Sequence, residues 1–228
     1  MKSQKYICEK MRALLVNWLI EIHQKFNFLP KTLFLTVNIM DKFLEKEVIQ
    51  RNKLQLIGLS ALLLASKYEE IYCPKLSELL FICDYIYDQE EIIEMETRMI
   101  YALEFNFGIP TIFDFLSLFQ KAEPLNEKVF FLSLYLIELT LYETKIYKFE
   151  ASIIAISALI LAKKIVFKLE NNYKEFITCR EDEKTIRECV KMLYLMARNA
   201  KNPKVIAEAV VKKFSSNKYL QVSNINVE

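Results

Sequence analysis

The chain has 228 residues, of which 53% are hydrophobic, and 31 basic side chains stand against 29 acidic ones. That length supports one large domain or two small ones with real cores. A formal net charge of +2 provides no bulk field to hold nucleic acid or an anionic membrane.

With only 2 glycines and 5 prolines, the signals that strand hairpins need are scarce. Met11, Leu14, Leu15, Trp18, Leu19 and Ile22 recur at helical spacing and predict a first helix with one apolar stripe, which carries the single Trp. The only histidine, His23, lies on the same helix and reads as a surface or satisfied helix residue. Pro30 closes that segment, and further helices are expected over residues 32–47, 53–70, 75–84 and 89–103. All five prolines fall where the periodicity breaks, which suits a residue excluded from helix interiors. The basic run 191–213 is interspersed with Glu208 and apolar residues, so it reads as helix surface, not a phosphate track.

The second half repeats the plan of the first. Residues 60–67 read SALLLASK and residues 157–164 read SALILAKK, 97 positions apart, and the same offset sets Asp41 against Glu138. Both segments are apolar almost all round, the mark of a helix surrounded by others. The expectation is an all-α fold of two tandem five-helix bundles, 1–109 and 110–228. No flexible linker separates them, so rigid packing is expected.

Cys8, Cys73, Cys83, Cys179 and Cys189 form no CxxC pair, and their odd number argues against a disulfide framework. The opening MKSQKYICEKMR develops no apolar region of a signal peptide. The apolar stretches 54–66 and 151–162 fall short of the ~20 residues of a membrane span, so a soluble intracellular protein is expected. Catalysis is not expected. One His and scattered cysteines lack metal-ligand spacing, and Gly58 and Gly108 alone cannot build a phosphate loop. The paired acids Glu69–Glu70 and Glu90–Glu91 diverge by ~100° on a helix and cannot converge on one atom. No cofactor or metal is implied.

The motif MRALLVNWL (11–19) resembles the opening of the cyclin box. LTVNIMDKFL (35–44), KLQLIGLSALLLASKYEEIY (53–72), the MET…LEF stretch (95–105) and FSSNKYLQVS (214–223) are similar to successive segments of A/B-type cyclins. The resemblance is strong over 7–110 and looser beyond, until that tail. It implies a regulatory subunit that binds a cyclin-dependent protein kinase and favours its active conformer, completing the kinase's Lys–Glu ion pair without adding a catalytic group.

On the residues alone, Lys67 is a solvated helix-end lysine and Glu96 a mid-helix acid. The resemblance implies that both hydrogen-bond backbone at the end of the kinase's regulatory helix, where such groups lack internal partners. Leu64, Tyr68, Ile100, Phe105 and Phe107 would supply apolar surface around them, Tyr68 and Phe105 foremost, whereas Leu64 also reads as core. Met11, Leu14, Trp18 and Glu21, with Arg51, Leu54 and Gln55, match the patch that recruits substrates and inhibitors bearing an Arg-x-Leu peptide. Apolar side chains would take the Leu, and Glu21 the cation. Periodicity alone allows Met11, Leu14 and Trp18 to be core instead. Arg12 and Asp41 match a structural ion pair between the first two helices.

Three departures from the family pattern stand out: Asn17 replaces an Asp, Cys73 replaces one of two prolines, and only about ten residues precede the box. A location in nucleus and cytoplasm is expected. Two other readings compete: a transcription-factor core of the same fold touching DNA or transcription machinery, disfavoured by the near-neutral charge, and a non-activating kinase-binding decoy, disfavoured by the presence of both Lys67 and Glu96.

Overall fold

The structure, a computed structural model, describes residues 4–168, 183–202 and 204–225; Cys179 and Pro203 lie outside them. Among the described residues there are ten α-helices and no strand, and the chain divides into two compact units between Ile109 and Pro110. No helix among them is long and apolar enough to cross a membrane.

The first unit contains α1 (Glu9–Phe26), α2 (Pro30–Lys46), α3 (Leu54–Glu69), α4 (Leu76–Ile82) and α5 (Gln89–Ala102). Its centre is α3, buried from Leu56 to Ser66 without a polar side, with α1, α2 and α5 packed around it. Gly58 lets α1 approach: a Cβ there would stand 2.8 Å from Leu15 Cδ1. α1 ends in a left-handed Asn27, whose N–H donates to Gln24 O while Phe28 N donates to His23 O, the paired bonds of a Schellman stop. Pro30 then opens α2 at a position that needs no N–H.

One sequence expectation needs correction here. The apolar residues of α1 do not form one stripe: Leu15, Leu19 and Ile22 are buried, whereas Leu14 is exposed and Met11 and Trp18 are half-buried. Of the two readings of His23, surface or satisfied, the structure favours the second: the ring is buried and its Nε2 donates to Leu29 O at 2.9 Å. The acids Glu69 and Glu70 do meet a common element. Glu70 accepts from Leu29 N at 2.7 Å and from the Thr32 hydroxyl, satisfying the start of α2, and Glu69 pairs with Lys31 at 3.1 Å.

The second unit contains α6 (Ile112–Ala122), α7 (Glu127–Leu139), α8 (Ala151–Phe167), α9 (Glu183–Asn199) and α10 (Glu208–Phe214). α8 occupies the centre, with α6, α7 and α9 against it, as its all-round apolar sequence requires. Thr111 and Asp114 start α6 reciprocally: Thr111 N donates to Asp114 Oδ2 at 2.7 Å and Asp114 N to Thr111 Oγ1 at 3.4 Å.

Candidate partner-binding surfaces

Lys67 stands in the last turn of α3, where that apolar helix reaches solvent, and Glu96 lies on the inner face of α5. Lys67 Nζ donates to Glu96 Oε1 at 2.6 Å. The glutamate is buried while the lysine is exposed, so the pair sits with its cationic end outward. An ammonium has three donors. One is spent on Glu96, and the half-exposed side chain leaves two more for other acceptors.

Aromatic rings gather at the C-terminal ends of the same two helices. The Phe107 ring meets Tyr68 edge-on at 6.5 Å and Phe105 at 6.3 Å. Glu104 and Phe105 are both left-handed, with φ of 52° and 57°, and Phe105 N donates back to Ile100 O. This turn after α5 carries the Phe105 ring into solvent, 72% exposed, beside a Tyr68 that is 56% exposed. Phe107 and Leu64 are buried beneath them, and Ile100 is half-buried. Of the seven residues named for kinase contact, Lys67, Tyr68 and Phe105 are open, Ile100 is half-buried, and Glu96, Leu64 and Phe107 are buried.

A second face lies on α1. Met11, Leu14, Trp18 and Glu21 share the side opposite the buried Arg12, Leu15, Leu19 and His23. Leu14 is 53% exposed, and Glu21 is exposed with no cation paired to it among the described residues. At the start of the neighbouring α3, Arg51 in the 3-10 turn just before it is exposed and Gln55 is half-buried, but Leu54 is buried, contributing more to the floor than to the surface. Arg12 holds α1 to α2: its Nε donates to Asp41 Oδ1 and its Nη2 to Asp41 Oδ2, both at 2.6 Å. That fork is charge-assisted and bidentate, with the guanidinium fully buried.

The second unit carries a matching carboxylate with a partner that sequence spacing did not show. Glu138 on α7, 97 positions after Asp41, accepts from Lys213 Nζ at 2.6 Å, and both side chains are buried. Lys213 Nζ also lies 5.3 Å from the Phe214 ring centroid and 5.7 Å from that of Tyr219. Burial pushes the Glu138 carboxyl above its ordinary value, with the Lys213 charge opposing. The tail motif FSSNKYLQVS therefore supplies the rings that enclose this cation. Lys213 escaped notice because a lysine within a basic run reads as solvated. No cluster of three or more potential metal ligands occurs among the described residues.

Residues 1–108 match the model of the cyclin N-terminal domain and residues 110–228 that of the cyclin C-terminal domain. Cyclin-B2-2 of Oryza sativa subsp. indica is 39% identical over 224 residues, spanning 96% of this chain and 52% of that protein. G2/mitotic-specific cyclin-1 of Medicago sativa subsp. varia is 47% identical over 163 residues, 72% of this chain and 38% of its own length. The chain thus spans about half the length, or less, of these curated relatives. The solved structure of a viral cyclin from herpesvirus saimiri superimposes with a TM-score of 0.71 at 18% identity, over 94% of this chain and 90% of that one. The chain belongs to the cyclin family, with B-type mitotic cyclins among its relatives.

Proposed function

We propose that this chain is a regulatory subunit that binds and activates a cyclin-dependent Ser/Thr kinase in cell-cycle control. The observation that carries the reading is the Lys67–Glu96 pair, presented at the solvent end of a buried helix and flanked by the exposed rings of Tyr68 and Phe105. Fixed charges of this kind complement the unpaired backbone groups at a helix terminus. The chain contributes no catalytic group. Its effect is the free-energy difference between binding active and inactive kinase conformers, and about 4 kcal/mol of preference would shift that equilibrium about a thousandfold.

The face of Met11, Leu14, Trp18 and Glu21, bordered by Arg51, Leu54 and Gln55, docks Arg-x-Leu substrates and inhibitors. Its apolar part receives the leucine and Glu21 the arginine. The similarity to G2/mitotic cyclins supports a role at division, and the chain acts in nucleus and cytoplasm. The test is to titrate the chain into an isolated cyclin-dependent kinase and follow phosphorylation of a short peptide. Saturable stimulation is expected; tight binding without any gain in turnover overturns activation.

A further inference from the structure

The outer face of α1 continues past Glu21. Lys25, one turn further on, places its Nζ 5.2 Å from the centroid of the Phe81 ring on α4, and the Tyr85 ring meets Phe81 edge-on at 6.5 Å. Both rings are exposed, at 62% and 66%. Glu21 and Lys25 stand in the i,i+4 order that favours an ion pair. They nevertheless form none: the ammonium sits over the ring, and neither side chain has an ion-pair partner among the described residues. The C-terminal dipole of α1 accounts for a cation at this position but not for its seat on Phe81. An acidic position and a basic one are thus held apart, in sequence along one face, both open to solvent.

We propose that Lys25, Phe81 and Tyr85 form an additional subsite that reads a carboxylate two residues before the arginine of a docked Arg-x-Leu peptide, giving the preferred form acid-x-Arg-x-Leu. This rests on the docking reading above. With leucine against Leu14 and Trp18 and arginine at Glu21, the peptide runs antiparallel to α1. Four helical residues from Glu21 to Lys25 advance about 6 Å, and an extended peptide covers that distance in about two residues. The Lys25 ammonium supplies the opposite charge, the Phe81 ring fixes its position, and the Tyr85 hydroxyl is a further donor.

Three labelled peptides, identical except for Glu, Ala or Lys two positions before the arginine, should be titrated onto the chain by fluorescence anisotropy at low salt. The Glu peptide is expected to bind about two- to fivefold tighter than the Ala peptide, the range of an exposed charge pair, and the Lys peptide weaker. Lys25→Glu should invert the order of the Glu and Lys peptides. Equal binding of all three peptides, still lost on Leu14→Ala, overturns the subsite and leaves docking intact. A preference for Glu that survives Lys25→Glu removes Lys25 from it. No binding by any peptide overturns the docking reading and the subsite together.

Discussion

Lys67 and Glu96 lie 29 positions apart in sequence, yet they meet at 2.6 Å where α3 and α5 emerge together. Because the lysine is exposed, the pair contributes no more than about 1 kcal/mol to stability. Removing Lys67 alone leaves a buried carboxylate unpaired, which costs more than removing both groups. Lys67→Ala combined with Glu96→Ala should therefore keep the helical circular-dichroism spectrum and melt within about 5 °C of the parent, while kinase stimulation is lost. Full stimulation by the double variant would take the pair out of the activating contact.

The proposed docking face permits a cleaner separation of roles than its composition suggests. Leu14 is exposed and Leu54 buried, so Leu14→Ala should cost less than about 0.5 kcal/mol and Leu54→Ala about 2 kcal/mol or more. Leu14→Ala should weaken phosphorylation of an Arg-x-Leu substrate and spare a short peptide lacking that motif. Parallel loss on both substrates would assign Leu14 to folding or kinase contact instead.

Proline and apolar periodicity made the helices of the first unit legible. The segment 53–70 was recognisable as a central helix because no polar residue interrupts it between Leu56 and Gly58 or between Ala61 and Ala65, and the structure buries all of these. Partnerships between distant residues were not legible. Nothing local distinguishes Glu70 capping α2 from Glu70 on a solvated helix end, and nothing distinguishes Lys213 from the lysines around it. The apolar stripe of α1 misled because periodicity marks an apolar arc without saying whether a neighbour covers it. Leu15 meets Gly58, while Leu14, one residue away, meets solvent.

That Leu15–Gly58 contact makes its own prediction. A valine at position 58 must push into Leu15 Cδ1, 2.8 Å from the Cβ position, and overpacking of this kind costs about 1–3 kcal/mol. Gly58→Val should lower the urea midpoint accordingly, and Leu15→Ala in the same chain should restore part of the loss. A double variant as unstable as the sum of the two single changes would show that the helices are not in steric contact there.

Thiol reactivity separates the cysteines by burial. Cys8 and Cys73 are exposed, Cys83 is buried with its thiol donating to Leu80 O, and burial pushes the Cys189 thiol up to about 11. Iodoacetamide at pH 8, followed by peptide mass spectrometry, should modify Cys8 and Cys73 within minutes and leave Cys83 and Cys189 intact until denaturant is added. Early modification of Cys189 would place it outside the core of the second unit.

Glu138 and Lys213 test whether a buried pair stabilises or only constrains. Glu138→Gln leaves the ammonium buried without its counter-charge, and such a loss costs about 3–5 kcal/mol. Adding Lys213→Met removes the stranded charge, so the double variant should recover most of the stability. The pH dependence carries a definite sign. Burial raises the folded-state pKa of Glu138 above its ordinary value of 4.5, so the folded chain holds a proton that the unfolded chain has released. The stability linked to the neutral carboxyl is complete below pH 4.5 and is lost as pH rises through the raised folded value. Urea unfolding at intervals upward from pH 4.5 should show the parent losing stability relative to the double variant as pH rises. A difference independent of pH would mean that Lys213 offsets the whole cost of burying the charge.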